Sequence, residues 1–375
     1  MYYFDNASTT FPKVEAVYGK TMEIYKNLGV DFTENKSSKS EEANNIKEGL
    51  IKNLKKIFSS NGKIILNSSA TFSLNEILRG LDYKKIKNVY ISPFEHNAVY
   101  RTIKDLQEIH KFNLNILKFK DFDLDKESMG LQFMSQKPDL IISTHASNVF
   151  GNIIDVRSIF KGGKKYNSIT VLDGAQTSGL LDFSKISNLC DFIVFAGHKT
   201  LYGPSGIGGY LYNNKGITLK PLLYGGTGIK SEEIDMPKDI PERYETGSPN
   251  LIGMIGLKLS TDWLLEIGIK NIREREKKNY KRLIELLEEY KYDISFKIAK
   301  KNIGVVSIIK NDFTPQELAN ILENYNIYTR TGLHCSPLAH KHMKTDKNGT
   351  VRFSISYFTR DEDLEKLEEI LEEIL

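Results

Sequence analysis

Cysteine is scarce in this chain, which has only Cys190 and Cys335 among its 375 residues. Two thiols exclude the disulfide framework that holds many small secreted domains together, and they fit a reducing compartment. Long apolar runs are also missing, because no stretch approaches the roughly 20 apolar residues of a membrane-spanning helix. The first residues lack the charged segment and apolar stretch of a signal peptide. We therefore expect a cytoplasmic protein that has no membrane partner.

An excess of one charge is missing too. The chain has 52 Lys and Arg residues and 48 Asp and Glu residues, so its formal net charge is only +4. The lysines are spread along the sequence, and no basic run carries interleaved aromatic residues, so we expect no nucleic-acid partner. The apolar content of 40% is ordinary for a globular protein, and the length permits two domains.

Short apolar runs alternate with amphipathic segments in the first part of the chain. The predicted strands are residues 63–66, 88–91, 114–119, 140–143, 169–172, 192–195 and 208–212. The predicted helices between them include residues 74–81, 98–109 and 156–165. This alternation predicts an α/β fold with a mainly parallel, doubly wound sheet, in which ligands bind at the carboxyl ends of strands.

The pattern changes after residue 250. A helical pattern covers residues 251–289 with a break near Gly268, and shorter strand and helix patterns follow it. We therefore predict a large domain over residues 15–255 and a small α+β domain formed by residues 1–14 and 256–375. Residues 31–48 are polar and are predicted to be exposed or mobile.

Two polar side chains follow neighbouring predicted strands. Asp173 comes directly after residues 169–172, and Lys199 comes shortly after residues 192–195. A lysine amine can form a Schiff base with the aldehyde of pyridoxal phosphate (PLP), and a carboxylate can keep the pyridine nitrogen of that cofactor protonated. The pair therefore predicts a PLP-dependent enzyme.

The segment from Asn67 to Thr71 follows a predicted strand and opens a predicted helix. Hydroxyl groups and free backbone amides at a helix start form an anion site, which would suit the cofactor phosphate. The alternative is a simple helix cap by Ser69 or Thr71. The glycines near Lys199 fit neither a dinucleotide motif nor a P-loop, since Leu211 replaces the last glycine of the first and His198 interrupts the second.

Three further residues have both a functional and a structural interpretation. His96 follows a strand and can stack on a planar cofactor, or it can cap a helix. Asn148 can reach a phenolic oxygen of the cofactor, or it can belong to a turn. Arg352 lies in an apolar strand and needs an anionic partner, which is either a substrate carboxylate or a structural Asp or Glu.

The two cysteines lie in different surroundings. Cys335 lies between His334 and Ser336 on a polar loop, where nearby cations would favour the thiolate. Cys190 adjoins an apolar strand and is predicted to be an inert packing residue. The sequence therefore predicts that Cys335 is the reactive thiol.

These motifs, in this order, resemble those of the cysteine desulfurases and selenocysteine lyases, a family in the class V aminotransferase group of fold-type I PLP enzymes. The resemblance covers nearly the whole chain. It rests on residues 3–10, 95–96, 147–151, 173–176, 197–199, 202–204, 245–250 and 330–335. One such motif would be weak evidence, but the ordered set is specific.

The resemblance implies a role for each candidate residue. Lys199, Cys335 and His96 would be catalytic: Lys199 would hold PLP and move protons, Cys335 would attack the substrate sulfur, and His96 would stack on the ring. The other cofactor-binding residues would be Asp173 at the pyridine nitrogen, Asn148 and Gln176 at the phenolic oxygen, and Ser69, Ala70, Thr71, His198 and Thr227 at the phosphate. Arg352 would anchor the substrate carboxylate, and Arg330, Asn6 and Ala7 would complete the substrate site. We expect no metal ion there.

The implied function is a PLP-dependent cysteine desulfurase that converts L-cysteine to L-alanine and passes the Cys335 persulfide to an acceptor protein. Family members are homodimers, in which Thr227 would reach the partner's phosphate site. Another class V enzyme (a selenocysteine lyase, sulfinate lyase, aminotransferase or epimerase) and a weakly catalytic scaffold protein are the alternatives. Three departures bear on the choice. Ala196 replaces a usual Ser or Thr, Ser248 replaces a threonine, and residues 30–42 lack an expected motif with glycine, arginine and histidine.

Overall fold

The structure is a computed structural model that describes residues 1–29, 37–214, 216–227 and 234–374. Its helices are α1 (Glu15–Leu28), α2 (Ser38–Ile57), α3 (Ala70–Gly80), α4 (Asn97–His110), α5 (Lys126–Ser135), α6 (Val156–Lys164), α7 (Leu251–Ile267), α8 (Ile269–Glu289), α9 (Pro315–Asn324), α10 (Pro337–Met343) and α11 (Asp361–Ile374). Its strands are β1 (Tyr2–Tyr3), β2 (Lys63–Asn67), β3 (Asn88–Ile91), β4 (Asn113–Ile116), β5 (Phe119–Lys120), β6 (Asp123–Leu124), β7 (Leu140–Thr144), β8 (Ile169–Asp173), β9 (Phe192–Ala196), β10 (Gly208–Tyr212), β11 (Ile294–Phe296), β12 (Val305–Lys310), β13 (Ile327–Tyr328), β14 (Arg330–Gly332) and β15 (Thr350–Ser354).

A mainly parallel sheet forms the centre of the larger part of the molecule. Within the described residues its strand order is β2-β10-β9-β8-β7-β3-β4. Strands β9, β8, β7, β3 and β4 pair in parallel, and β10 is antiparallel to both of its neighbours. Strands β7, β9 and β10 are buried along their whole length, as expected for a sheet covered by helices on both faces. The predicted α/β fold is confirmed.

The prediction of one strand over residues 114–119 is wrong. Strand β4 ends at Ile116, and β5 then forms a separate hairpin with β6. Leu117 lies between them, and its side chain is buried while its amide donates to the carbonyl of Ile91 (2.9 Å). The apolar run continued through this bend because both sides of the bend contact the core.

Most of residues 38–48 are exposed, as predicted, but they belong to a helix that the sequence did not indicate. Helix α2 begins at Ser38, and the hydroxyl of Ser37 accepts a hydrogen bond from the amide of Ser40 (3.2 Å). Ala43 and Leu50 lie on the buried face of the helix. The lysines and glutamates that dominate the composition cover its exposed face, so composition concealed the helical spacing. Residues 31–36 lie outside the described residues.

An antiparallel sheet with the order β11-β12-β15-β14 forms the centre of the carboxyl-terminal part. Its core contains Phe4 and Phe353, whose ring centroids are 5.9 Å apart. The amino terminus joins this region, since β1 pairs in parallel with β13. Helix α7 spans the predicted domain boundary at residue 255 and packs against α1 and α2. The exact division into two domains stays a prediction.

The fold brings the sequence-predicted residues together at one edge of the central sheet. Asp173 ends β8, and the chain reaches Lys199 three residues after β9 ends. The candidate phosphate segment lies between β2 and α3, and His96 lies directly before α4. Among the helices that the structure describes, none is long and apolar enough to cross a membrane.

Candidate active site

Lys199 and Asp173 form an electrostatically coupled pair at the carboxyl ends of adjacent parallel strands. Burial raises the pKa of Asp173, while a hydrogen bond from the amide of Ala175 (2.9 Å) and the charge of Lys199 act in the opposite direction. Burial lowers the pKa of Lys199, and the charge of Asp173 opposes that shift. Each group therefore stabilises the charged form of the other in a site that otherwise disfavours charge.

The amino-terminal segment holds the backbone at Lys199. The hydroxyl of Thr10 donates to the carbonyl of Lys199 (2.8 Å), and the amide of Thr10 donates to the carbonyl of His198 (3.1 Å). The amine of Lys13 donates to that same carbonyl (2.6 Å). Burial lowers the pKa of Lys13 to about 8. Lys13 could not be predicted from the sequence, because its contact to His198 spans 185 positions and leaves no local signal.

The turn between β3 and α4 carries His96 and a buried glutamate. His96 caps α4, since its Nδ1 accepts a hydrogen bond from the amide of Ala98 (3.1 Å), so the capping interpretation is confirmed. Burial and the charge of Lys199 lower the pKa of His96 to about 4, so its ring is neutral near pH 7. Glu95 is fully buried, and its Oε1 accepts a hydrogen bond from the amide of Thr144 (2.8 Å).

The start of α3 has the properties of an anion site. The hydroxyl of Ser69 accepts a hydrogen bond from the amide of Phe72 (3.1 Å), which makes Ser69 the helix cap. The amides of Ala70 and Thr71 occupy the first turn, where a helix offers no internal acceptor. Gly208 lies against this turn: a Cβ there would be 3.0 Å from the carbonyl carbon of Ser69 and 3.1 Å from the amide nitrogen of Ala70.

A second observation supports the phosphate interpretation. The Nδ1 atom of His198 is buried and has no hydrogen-bond partner among the described residues. Burial lowers the pKa of His198 to about 4, so a neutral ring is available to bind an anion through an N–H group. Ala196 pairs with Gly208 across β9 and β10, so the residue that departs from the family pattern is next to the α3 start. The residues present fit a phosphate, with one hydroxyl fewer.

The loop between β14 and α10 (residues 333–336, the cysteine loop) exposes the thiol of Cys335, and hydrogen bonds to other elements hold the loop in place. Cys335 is exposed, and both it and His334 have positive φ angles (57° and 47°). The side-chain amide of Asn148 donates to the carbonyl of His334 (2.7 Å) and accepts from the hydroxyl of Ser336 (2.7 Å). The amide of Asn97 donates to the carbonyl of Cys335 (2.7 Å). Elements of the central-sheet region thus hold the loop near Lys199.

Asn148 and Gln176, which were predicted to contact the cofactor, both form hydrogen bonds to backbone carbonyls of the protein. Asn148 uses one of its two amide protons on the cysteine loop. Gln176 donates through Nε2 to the carbonyl of Ala7 (2.9 Å). Both side chains lie at the predicted edge, and their contacts with the phenolic oxygen of the cofactor stay predictions.

Asn6 and Ala7 attach the amino-terminal segment to β15. The side-chain amide of Asn6 donates to the carbonyl of Ser354 (2.8 Å), and the amide of Ala7 donates to the hydroxyl of Ser354 (2.9 Å). Both residues are buried. These bonds give them a structural role beside the site, and their predicted contact with substrate stays a prediction.

Arg352 pairs with a carboxylate of the protein, that of Asp5, as one of its two interpretations predicted. It is 1% exposed, and its Nη2 donates to the carboxylate of Asp5 and to the hydroxyl of Ser8 (2.9 Å). Its Nη1 donates to the carbonyl of Asn148 (2.8 Å), and Arg330 donates to the same Ser8 hydroxyl (2.8 Å). Asp5 and Ser8 belong to the motif of residues 3–10, but the sequence did not indicate that they contact the two arginines.

Comparison with known proteins agrees with this geometry. The sequence matches the aminotransferase class-V family over residues 2–367. The chain belongs to this family. A probable cysteine desulfurase of Pyrococcus abyssi (strain GE5 / Orsay) is 31% identical over 389 aligned positions, which cover 100% of this chain and 94% of that protein. A probable cysteine desulfurase of Methanothermobacter thermautotrophicus is 28% identical, with 99% and 94% coverage.

A solved structure has nearly the same fold as this class-V chain. The apo structure of the cysteine desulfurase from Thermococcus onnurineus NA1 superposes with a TM-score of 0.91 at 28% identity, covering 99% of this chain and 94% of that one. The predicted family resemblance and the PLP fold type I are therefore confirmed. The atypical residues 30–42 and Ser248 do not alter that membership.

Two further predictions concern Cys190, which was expected to be an inert packing residue, and Thr227, which was expected to bind phosphate. Cys190 is 2% exposed, burial raises the pKa of its thiol, and its Sγ contacts the carbonyl of Ile186 (3.3 Å). Its predicted packing role is confirmed. Thr227 is the last described residue before a gap, and Gly228 lies outside the described residues. The predicted contact of Thr227 with the phosphate of a partner subunit stays a prediction.

Proposed function

We propose that this class-V protein is a PLP-dependent cysteine desulfurase that converts L-cysteine to L-alanine. Cys335 takes the sulfur as a persulfide and passes it to an acceptor protein. The observation that carries the proposal is an exposed thiol on a fixed loop, close enough to Lys199 that a charge on Cys335 raises the pKa of the lysine amine. The names and full-length similarity of the relatives support the same activity.

The cofactor would be held by residues from four elements. Asp173 would pair with the ring nitrogen, His96 would lie against the ring, and the phosphate would bind the amides of Ala70 and Thr71 and the ring of His198. When bound, PLP supplies an electron-accepting ring that stabilises negative charge on the substrate. The buried and unpartnered Nδ1 atom of His198 is the observation of this structure that favours such a ligand.

Cys335 would act as the nucleophile and Lys199 as the proton donor. The thiolate of Cys335 attacks the sulfur of L-cysteine, so a sulfur–sulfur bond forms and the carbon–sulfur bond breaks. The electron pair of the broken bond stays with the carbon fragment, and a proton from Lys199 Nζ completes L-alanine. One protein thiol and one cysteine give one protein persulfide and one alanine, so the step needs no further reactant. An aminotransferase has no use for an exposed thiol at this position, which favours the desulfurase.

We also propose that the protein is a cytoplasmic homodimer with large and small domains at the predicted boundaries. The family resemblance supports the dimer, and the two reduced thiols support the compartment. The pairing of β1 with β13 supports the assignment of residues 1–14 to the small domain.

The activity is tested by supplying L-cysteine and a reductant to the PLP-loaded protein and assaying alanine and sulfide together. We expect equal amounts of both products. Lys199→Ala should abolish both, because the same amine binds the cofactor and moves the proton. Formation of a 2-oxo acid in place of alanine, or alanine without sulfide, would contradict the proposal.

A further inference from the structure

Two arginines face each other across the strands that border the cysteine loop. Arg330 on β14 and Arg352 on β15 are direct cross-strand partners. Like charges in this position destabilise an antiparallel pair, and the burial of Arg352 adds the cost of removing a charge from water. Burial lowers the pKa of Arg352, and the charge of Arg330 acts in the same direction. Another group must therefore offset the repulsion between the two arginines and the cost of burying Arg352.

The hydroxyl of Ser8 lies between the two arginines. It accepts hydrogen bonds from Arg330 Nη1 (2.8 Å) and Arg352 Nη2 (2.9 Å). It donates to Asp5 Oδ1 (2.9 Å), the same oxygen that pairs with Arg352. A hydroxyl has one proton and two lone pairs, so these three bonds use its full capacity. One small side chain therefore fixes both guanidinium groups and the carboxylate between them.

The cluster of Arg330, Arg352, Asp5 and Ser8 still carries one net positive charge, since two guanidinium groups face one carboxylate. It also retains an unused donor: Nε of Arg352 is buried and has no hydrogen-bond partner in the described part of the chain. A guanidinium group binds a carboxylate through paired N–H groups, which a lone ammonium cannot do. The charge and the free donor fit a ligand with a single carboxylate.

We propose that Ser8 is a positioning residue that fixes Arg330 and Arg352 as one binding site for the α-carboxylate of the substrate. This inference rests on the proposed function and adds the residue that positions the two substrate-binding arginines. Ser8 acts through the two arginines and does not itself contact the substrate. Asp5 reduces the charge of the two arginines to one net positive charge, which a single substrate carboxylate neutralises.

The test compares Ser8→Ala with Ser8→Thr, which keeps the hydroxyl. In Ser8→Ala we expect KM for L-cysteine to rise roughly tenfold, the scale of one lost hydrogen bond to a charged group, with kcat nearly unchanged. Binding of 3-mercaptopropionate, which has the carboxylate but no amine, should weaken by the same factor in calorimetry. Binding of 2-aminoethanethiol, which has no carboxylate, should not change. Ser8→Thr should restore both values to within about twofold.

Ser158→Ala is the matched control, because that serine makes a similar hydrogen bond to Asp155 (2.7 Å) at the distant start of α6. Ser8→Gly also removes the hydroxyl and serves if Ser8→Ala fails to fold. Unchanged 3-mercaptopropionate binding in a folded variant, or equal weakening of both analogues, would overturn the inference. If the wild type releases no alanine from cysteine, the proposed function fails, and the binding of the two analogues still decides the role of Ser8.

Discussion

Burial sets the protonation state of most side chains around Lys199. His96 and His198 are neutral near pH 7, because burial lowers the pKa of each to about 4. Glu95 is also neutral there, because burial raises its pKa to about 8 and the charge of Asp173 adds to the shift. Asp173 and Lys199, in contrast, combine strong burial with an opposite charge close by. This contrast identifies them as a charged pair of the site.

Glu95 provides a test of this electrostatic description. An unperturbed glutamate ionises near pH 4.5, whereas Glu95 in the folded protein keeps its proton up to about pH 8. Between these values the folded state binds more protons than the unfolded state, so the contribution of Glu95 to the free energy of unfolding falls as pH rises. Glu95→Gln removes this titration. The melting temperature of the variant minus that of the wild type should therefore increase as the pH rises from about 5 to about 8.

The exposed residue Glu23 supplies the control for this comparison. Glu23→Gln makes the same substitution at an exposed position, and the pH-dependent change should be larger for Glu95→Gln than for this variant. A constant difference for Glu95→Gln would mean that Glu95 is ionised in the folded protein, contrary to this account.

At the residue scale, the sequence predicted where Lys199 and Asp173 lie, because each comes after an apolar run and the edge of a parallel sheet brings such positions together. Their roles toward the cofactor stay predictions. Asp5 and Ser8 were missed as ligands because their arginine partners lie more than 300 positions away. No local pattern encodes a contact between the amino-terminal segment and β15.

At the scale of elements, the cysteine loop depends on bonds to neighbouring elements for its shape. His334 and Cys335 adopt positive φ angles that cost roughly 1–3 kcal/mol each for residues other than glycine. The hydroxyl of Ser336 is fully buried and donates to Asn148 (2.7 Å) from the region after β7. This bond opposes relaxation of the loop.

Ser336→Ala should therefore slow persulfide formation several-fold while leaving the absorbance of bound PLP and KM for cysteine unchanged. The rate falls because a freer loop presents the thiol in the reactive position for less of the time. Ser260→Ala is a matched control, since Ser260 is equally buried but bonds within α7 to the carbonyl of Leu257 (3.0 Å). Equal effects of the two variants on the rate would contradict this role for Ser336.

Elements with a strong apolar periodicity were predicted well. Elements whose many charged residues obscured the apolar spacing were not. The break between α7 and α8 at Gly268 was predicted from sequence, and Gly268 has a φ of 86° that suits glycine. Helix α2 was missed because its exposed charges outweighed its apolar spacing. The register that places Arg330 opposite Arg352 was beyond prediction, since pairing between distant strands is fixed by packing.

At the scale of the whole molecule, two exposed apolar side chains before Thr227 would suit the subunit interface of the proposed homodimer. Leu223 and Tyr224 are exposed large hydrophobic residues, with 50% and 62% of their surface accessible. We expect two chains of 42.8 kDa to sediment together at assay concentration. Tyr224→Glu should weaken this association and lower activity with it, because a buried unpaired charge destabilises an apolar contact.

Tyr292→Glu is the control for the interface, since Tyr292 is 89% exposed elsewhere on the surface. It should leave both sedimentation and activity unchanged. A fully active monomer in the Tyr224→Glu sample would show that each active site is complete within one chain.

The proposed function requires that Cys335 carries the sulfur, a claim that mass spectrometry of the protein after one turnover with L-cysteine can check. We predict one added sulfur atom on the peptide that contains Cys335 and none on the peptide that contains Cys190. Cys335→Ser should stop this transfer and keep the bound cofactor, whereas Cys190→Ser should cost some stability and little activity, because its thiol is buried in the core. Added sulfur on the Cys190 peptide, or full activity in Cys335→Ser, would contradict the claim.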